Sequence, residues 1–316
     1  MARTTDAARE GSMFEGFLIM PKQNQAVPPT HSPAVLKATA VTPPSHAGFI
    51  LARLGPSNFQ VRYDPALGAD GHSLAQEVLR TAEGDLAKLV RIFGAPPATG
   101  PFVIDITQTG PDGQPLGGAV HASNGGLEIW CNPVNPDTNQ LDVDWTRMLV
   151  VAEVVEDFEH WQGLGWDMLH TNGEGLSRLL ASALYPHVAI PSRAALANGY
   201  IRAGMPDCIS DNSGTDTDPV SNGGAVLFLN WLTTGFGYGY DQVVQHGGAT
   251  LAETYTNLQA RNDAYDRFVA NLRALPPGDL TTDNPFVGHP AQLNVRKAAM
   301  AMAMPTKTTG AFTFGS

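Results

Sequence analysis

Basic clusters, long apolar runs and cysteine pairs are all missing from this chain of 316 residues. The 19 Lys and Arg residues are outnumbered by 30 Asp and Glu residues and are scattered along the chain. The sequence therefore lacks the positive surface that binds nucleic acid or anionic lipid. It also has no apolar run of about eighteen residues, so we predict no membrane-spanning helix. We expect neither nucleic acid nor a membrane as a partner.

The two cysteines, Cys131 and Cys208, could form one disulfide or remain two buried thiols. No Cys-x-x-Cys pair indicates a redox or zinc site. The start of the chain has no apolar segment after a basic one, so we expect a cytoplasmic location or export by a non-classical route. No phosphate-binding or dinucleotide-binding loop occurs. We therefore expect no cofactor, with a divalent cation as the alternative that the carboxylates allow.

The spacing of apolar residues predicts an α+β fold, with a small mixed or antiparallel sheet followed by a mainly helical half. Two short strands are predicted within 48–64, and further strands are predicted at 101–108, 117–123 and 126–132. Helices are predicted at 72–94, 144–162, 173–185, 191–203, 223–234, 250–259 and 262–275.

Three segments differ in composition. Prolines in residues 1–46 exclude a long helix and predict an extended or flexible N-terminal arm, through which the chain could self-associate. Residues 47–276 are predicted to form a single domain. Residues 277–316 are rich in Pro, Thr and Ala and predict an extended C-terminal tail.

The predicted helix at 144–162 carries four acids and a histidine in an otherwise apolar segment. Its valines share one face with Phe158, and the opposite face has the pattern of a solvated polar side, formed by Glu153, Glu156, Asp157 and His160. The turn before Glu153 is apolar nearly all round, so this glutamate is expected to be buried. A buried carboxylate needs a partner, a metal or a raised pKa, which makes Glu153 a candidate general base.

Three further residues are candidate metal ligands. Glu156 and His160 are four positions apart, so they could hold one ion or form an ordinary surface pair. Glu174 is predicted in the first turn of a helix with Asn172 as its N-cap. The helix dipole alone would stabilise a carboxylate there, or Glu174 could point back at the preceding helix. His121, on a predicted strand, could face the same cleft, although a lone histidine more often serves the core or the surface.

This arrangement resembles the zincin fold of metallopeptidases, of the gluzincin type. Those proteins have an edge strand, a helix with the motif His-Glu-x-x-His, and a glutamate on a following helix as the third zinc ligand. The resemblance implies that GLEIWCN (126–132) is the edge strand, that residues 152–156 occupy the motif position, and that Glu174 is the third ligand. Residues 100–270 are also similar to an uncharacterised bacterial domain family.

Both motif histidines are replaced, the first by Ala152 and the second by Glu156. Zinc prefers imidazole and thiolate, so an all-carboxylate set suits calcium, magnesium or manganese better. The sequence favours a zincin-like domain that has lost zinc-dependent peptidase activity and acts in binding or self-assembly. The alternative is an active hydrolase, metallopeptidase-like or glycosidase-like, in which Glu153 is the general base beside Glu156 and Glu174. Its substrate would be a peptide or a glycan.

Overall fold

The computed structural model describes residues 48–52, 57–95, 100–122, 126–188, 190–212 and 218–287. Within these residues the fold is α+β, as predicted from the order of strands and helices. A small sheet is formed by five strands, β1 (Ile50–Ala52), β2 (Phe59–Tyr63), β3 (Phe102–Ile106), β4 (Ala119–His121) and β5 (Glu128–Cys131).

The strand order across the sheet is β1-β2-β3-β5-β4. The three central strands are parallel, and the two outer strands, β1 and β4, are antiparallel to their neighbours. The expectation that GLEIWCN forms the edge strand is therefore wrong, because β5 lies between β3 and β4. Ile129 and Cys131 are fully buried, which suits an internal strand, whereas every residue of β4 is half-buried.

Helix α1 (Gly68–Phe93) connects β2 to β3 and covers one face of the sheet. The connection is long because two parallel strands cannot be joined by a tight turn. The helix ends where Gly94 adopts a φ of 80°, a left-handed conformation that favours glycine. This agrees with the predicted end at residue 94.

Helix α2 (Val143–Gln162) lies in the middle of the molecule. Its N-cap is Asp142, which accepts hydrogen bonds from the backbone N–H groups of Asp144 and Trp145. One side of α2 packs against α1, where the rings of Phe158 and Phe93 stack 4.5 Å apart. The other sides contact β4, β5 and the next helix, so little of α2 reaches solvent.

The helical half consists of α3 (Thr171–Leu184), α4 (Ile190–Arg202), α5 (Pro219–Asn230), α6 (Tyr240–Gln245), α7 (Leu251–Gln259) and α8 (Ala264–Arg273). Helix α6 and a short hairpin of β6 (Val134–Asn135) with β7 (Gln140–Leu141) were not predicted. Helix α5 begins earlier than predicted because Asp218 caps it and Pro219 fits its first turn. A π-helical turn, Trp231–Gly235, continues it.

Asn172 is not the N-cap of α3; that position is His170. Asn172 is fully buried, and its side-chain amide donates to the carbonyl oxygens of Gly165, at 2.9 Å, and Gly248, at 3.0 Å. The predicted cap residue is thus used to join two loops to the start of α3. Local sequence could not show this role of Asn172, because Gly248 lies far from it in the chain.

The two cysteines are buried free thiols, which decides between the two alternatives. No helix in the described part of the chain has the length and apolarity needed to span a bilayer. The predicted N-terminal arm lies outside the described residues. Of the predicted tail, residues 277–287 contain no helix or strand, and Phe286 packs into the core. The division into arm, domain and tail stays a prediction.

Candidate metal centre

Glu153, Glu156 and Asp157 lie on one face of α2, and this face is buried. Their exposed fractions are 9%, 8% and 0%. The prediction of a solvated acidic side is therefore wrong for Glu156 and Asp157, because β4 and α3 cover it. The expectation that Glu153 is buried is confirmed. His160 lies in the last turn of the helix, which ends at Gln162, and its side chain is exposed.

A histidine from the sheet completes this group. His121, at the end of β4, is half-buried over the whole residue, but its imidazole side chain is only 4% exposed. Its Nε2 atom lies 3.3 Å from Oε2 of Glu153 and 3.8 Å from Oε2 of Glu156. One ligand atom from each of the three residues lies within 4.8 Å of the other two. This group could hold a metal ion.

The ring of His121 is held by the backbone on both sides. Its Nδ1 atom lies 2.8 Å from the carbonyl oxygen of Gly126, and its Nε2 atom lies 3.1 Å from that of Glu153. A partner on the second ring nitrogen fixes the orientation of a histidine, as is usual for histidines that bind metals. The residue is placed by the β4–β5 hairpin, in which His121 pairs with Ile129.

Asp157 lies behind this group, and neither of its carboxylate oxygens has a hydrogen-bond partner among the described residues. Burial raises the pKa of Asp157 to about 7, the positive charge of His121 opposes this shift, and the negative charge of Glu153 adds to it. Buried polar groups normally have hydrogen-bond partners. The carboxylate of Asp157 therefore has room in its bonding for a proton, a water molecule or a ligand.

Glu174 does not join the group formed by His121, Glu153 and Glu156. Its carboxylate instead forms an ion pair with Arg178, one turn along α3, and both side chains are buried. The guanidinium also interacts electrostatically with Glu156 and Glu153, so α3 presents a positive charge to these two carboxylates. The structure thus places Glu174 near the predicted site but beside a cation of its own.

A second buried carboxyl group, Glu159, lies where α2 meets the start of α3. Its exposed fraction is 2%, and neither oxygen has a hydrogen-bond partner among the described residues. Burial raises the pKa of Glu159 well above its usual range, the charges of Glu174 and Asp167 add to this, and Arg178 opposes it.

The predicted site residues are thus only partly brought together. Glu153 and Glu156 share a group, Glu174 lies beside Arg178, and His160 packs its ring against the exposed Trp161. The residue that sequence reasoning undervalued is His121. Its only signal was its position on a strand close to the predicted cleft, because 32 residues separate it from Glu153.

No protein-family model matches the chain, and no curated protein matches it.

Proposed function

We propose that this protein is a divalent-cation-dependent hydrolase whose metal is held by His121, Glu153 and Glu156. The observation that supports this proposal is the convergence of one imidazole nitrogen and two carboxylate oxygens, from β4 and α2, within 4.8 Å of one another. Catalytic metal sites commonly have three protein ligands and leave a position open for water or substrate. A bound divalent cation would polarise a substrate carbonyl or lower the pKa of a bound water.

The donor set favours a borderline transition metal. With one nitrogen and two oxygens it is harder than the histidine-rich sites that zinc prefers, and softer than the all-oxygen sites of calcium and magnesium. Manganese(II), iron(II) and zinc(II) are therefore the ions to test. The imidazole of His121 makes this set softer than the all-carboxylate set for which the sequence favoured calcium, magnesium or manganese.

Buried carboxylates in the same cluster supply the remaining chemistry. Asp157 shares a helical face with Glu153 and Glu156, so it could accept a proton from an attacking water without being a ligand itself. In this arrangement Glu153 binds the metal, rather than acting as the general base that the zincin resemblance implies. The mixed sheet and the following helices are compatible with a zincin-like fold, which remains part of the proposal.

Metal content and metal affinity test the proposal directly. The full chain would be dialysed against chelator, reloaded with manganese, iron or zinc, and analysed by elemental analysis and calorimetric titration. We expect about one ion per chain, and loss of that ion in Glu153→Gln and Glu156→Gln. Metal-dependent cleavage of a peptide library or of glycans, followed by mass spectrometry, would then identify the bond. A folded wild-type chain that binds none of the three ions would refute the metal centre.

A second candidate is a zincin-like domain without catalysis, acting in binding or self-assembly. The observation that favours it is that both ring nitrogens of His121 already lie within hydrogen-bonding distance of carbonyl oxygens. The cluster could then be a buried polar network that needs no metal. This candidate predicts no stoichiometric metal after dialysis and a melting temperature that is indifferent to chelator. The same elemental analysis therefore separates the two candidates.

A further inference from the structure

Glu174 occupies the position at which the sequence predicts a third metal ligand, yet its carboxylate is engaged by Arg178. The Nη1 atom of Arg178 donates to both the side chain and the backbone carbonyl of Glu174. The side chains of Arg178 and Glu174 are 13% and 6% exposed, so solvent screens this pair weakly. The pair is carried by α3, which packs directly against the helix that supplies Glu153 and Glu156.

We propose that Arg178 is an internal cation that sets the affinity of the metal centre, and that Glu174 acts as its counter-ion instead of as a ligand. This inference rests on the proposed function, since it concerns the same site. Arg178 interacts electrostatically with both ligand carboxylates, so its positive charge opposes the entry of a second cation. Glu174 compensates part of that charge and also holds the guanidinium in place.

The physical consequence is a pair of opposite effects. Removing the charge of Arg178 leaves more negative charge around the ion and should tighten binding. Removing the charge of Glu174 leaves Arg178 uncompensated and should weaken binding. If Glu174 were itself a ligand, the double variant would bind as weakly as Glu174→Gln alone, because removing Arg178 cannot restore the lost ligand. The double variant is therefore the decisive measurement.

The experiment is a titration of chelator-treated full-length protein with manganese(II), read by calorimetry. We expect Arg178→Gln to bind about tenfold more tightly than wild type and Glu174→Gln about tenfold more weakly. We expect the double variant Glu174→Gln/Arg178→Gln to return to within about threefold of wild type. Arg202→Gln is the matched control, because Arg202 is 66% exposed and pairs with Asp279 at the surface. It lowers the net charge equally and should leave affinity unchanged.

Each outcome has a defined meaning. If Arg178→Gln does not fold, Glu174→Gln and the double variant carry the test, because neither leaves an uncompensated buried carboxylate at position 174. A double variant as weak as Glu174→Gln, or a shift in Arg202→Gln equal to that in Arg178→Gln, overturns the inference while the metal centre stands. A wild type that binds no manganese, iron or zinc contradicts the proposed function and this inference with it.

Discussion

The Nε2 atom of His121 lies 3.3 Å from the carboxylate of Glu153 and 3.1 Å from the backbone carbonyl oxygen of the same residue. An edge strand and a central helix are thus joined through one imidazole, which contacts both the main chain and the side chain of its partner. The contact places an imidazole nitrogen that could bind a metal ion beside the two carboxylates of Glu153 and Glu156. It is the reason that this acidic helix can be considered a metal centre.

The first prediction is that His121, and not His160, binds the metal ion. We expect His121→Ala to weaken manganese or zinc binding by about a hundredfold, because it removes one of three ligands. His160→Ala is the matched control, since His160 lies on the same helix but is exposed and contacts Trp161. It should bind the ion as wild type does. Equal losses in the two variants, measured by calorimetry, would assign the metal to a different place.

The pH dependence of stability should report the burial of Asp157. Burial raises its pKa to about 7 in the folded chain, whereas an aspartate in an unfolded chain titrates near about 3.9. Between these values the folded state holds a proton that the unfolded state has lost, so this contribution to stability decreases as pH rises. At about 1.4 kcal/mol per pKa unit, the loss is on the order of 4 kcal/mol by pH 8.

Urea denaturation in the presence of chelator, at pH 4.5, 6 and 8, would measure this effect. The free energy of unfolding of wild type relative to Asp157→Asn should fall steadily over this range, because asparagine does not titrate. Asp112→Asn is a control at an exposed loop position and should show no such trend. A wild-type-to-Asp157→Asn difference that stays constant with pH would mean that Asp157 is not buried as a carboxyl group.

The close contact between α2 and α3 depends on Gly173. A Cβ atom at this position would collide with the carbonyl oxygen of Asp167 and with Oε2 of Glu159. The carbonyl belongs to the main chain and cannot move aside easily, so we expect Gly173→Ala to destabilise the protein by about 2–4 kcal/mol. Gly84→Ala, in open space on α1, should instead stabilise it by about 0.5–1 kcal/mol. Thermal unfolding would compare the two, and equal effects would argue against tight packing at Gly173.

Replacing Asn172 by alanine should destabilise the protein more than replacing Asn257, although both side chains donate to two carbonyl oxygens. The buried side chain of Asn172 donates to the carbonyl oxygens of Gly165 and Gly248, so Asn172→Ala leaves the buried carbonyl of Gly248, and that of Gly165, without this donor. The expected cost is about 2–4 kcal/mol. Asn257 also donates to two carbonyl oxygens, those of His246 and Gly247, but at the surface. Asn257→Ala should cost less than about 1 kcal/mol, because water replaces the lost donor. Chemical denaturation would detect a reversed order.

Much of the fold follows from local pattern. The apolar stripe of α1, its end at Gly94 and the α+β order could all be predicted from neighbouring residues. These features depend on helix period and turn chemistry, which act over a few positions. The early apolar turn of α2 also predicted the burial of Glu153.

The site depended on contacts between distant segments. Sequence alone predicted Glu156 and Asp157 on a solvated side, because nothing local shows that β4 and α3 cover that face of the helix. The sequence named His160 as the candidate ligand and His121 only as a residue that could face the cleft, because nothing local shows which histidine lies beside Glu153. The order of strands in the sheet brings His121 to α2, and the ion pair with Arg178 engages Glu174. The sequence by itself determined most of the helices and strands and that a carboxylate is buried in α2. Only the tertiary structure decided the partners of that carboxylate, because burial and charge pairing arise where separate elements pack together.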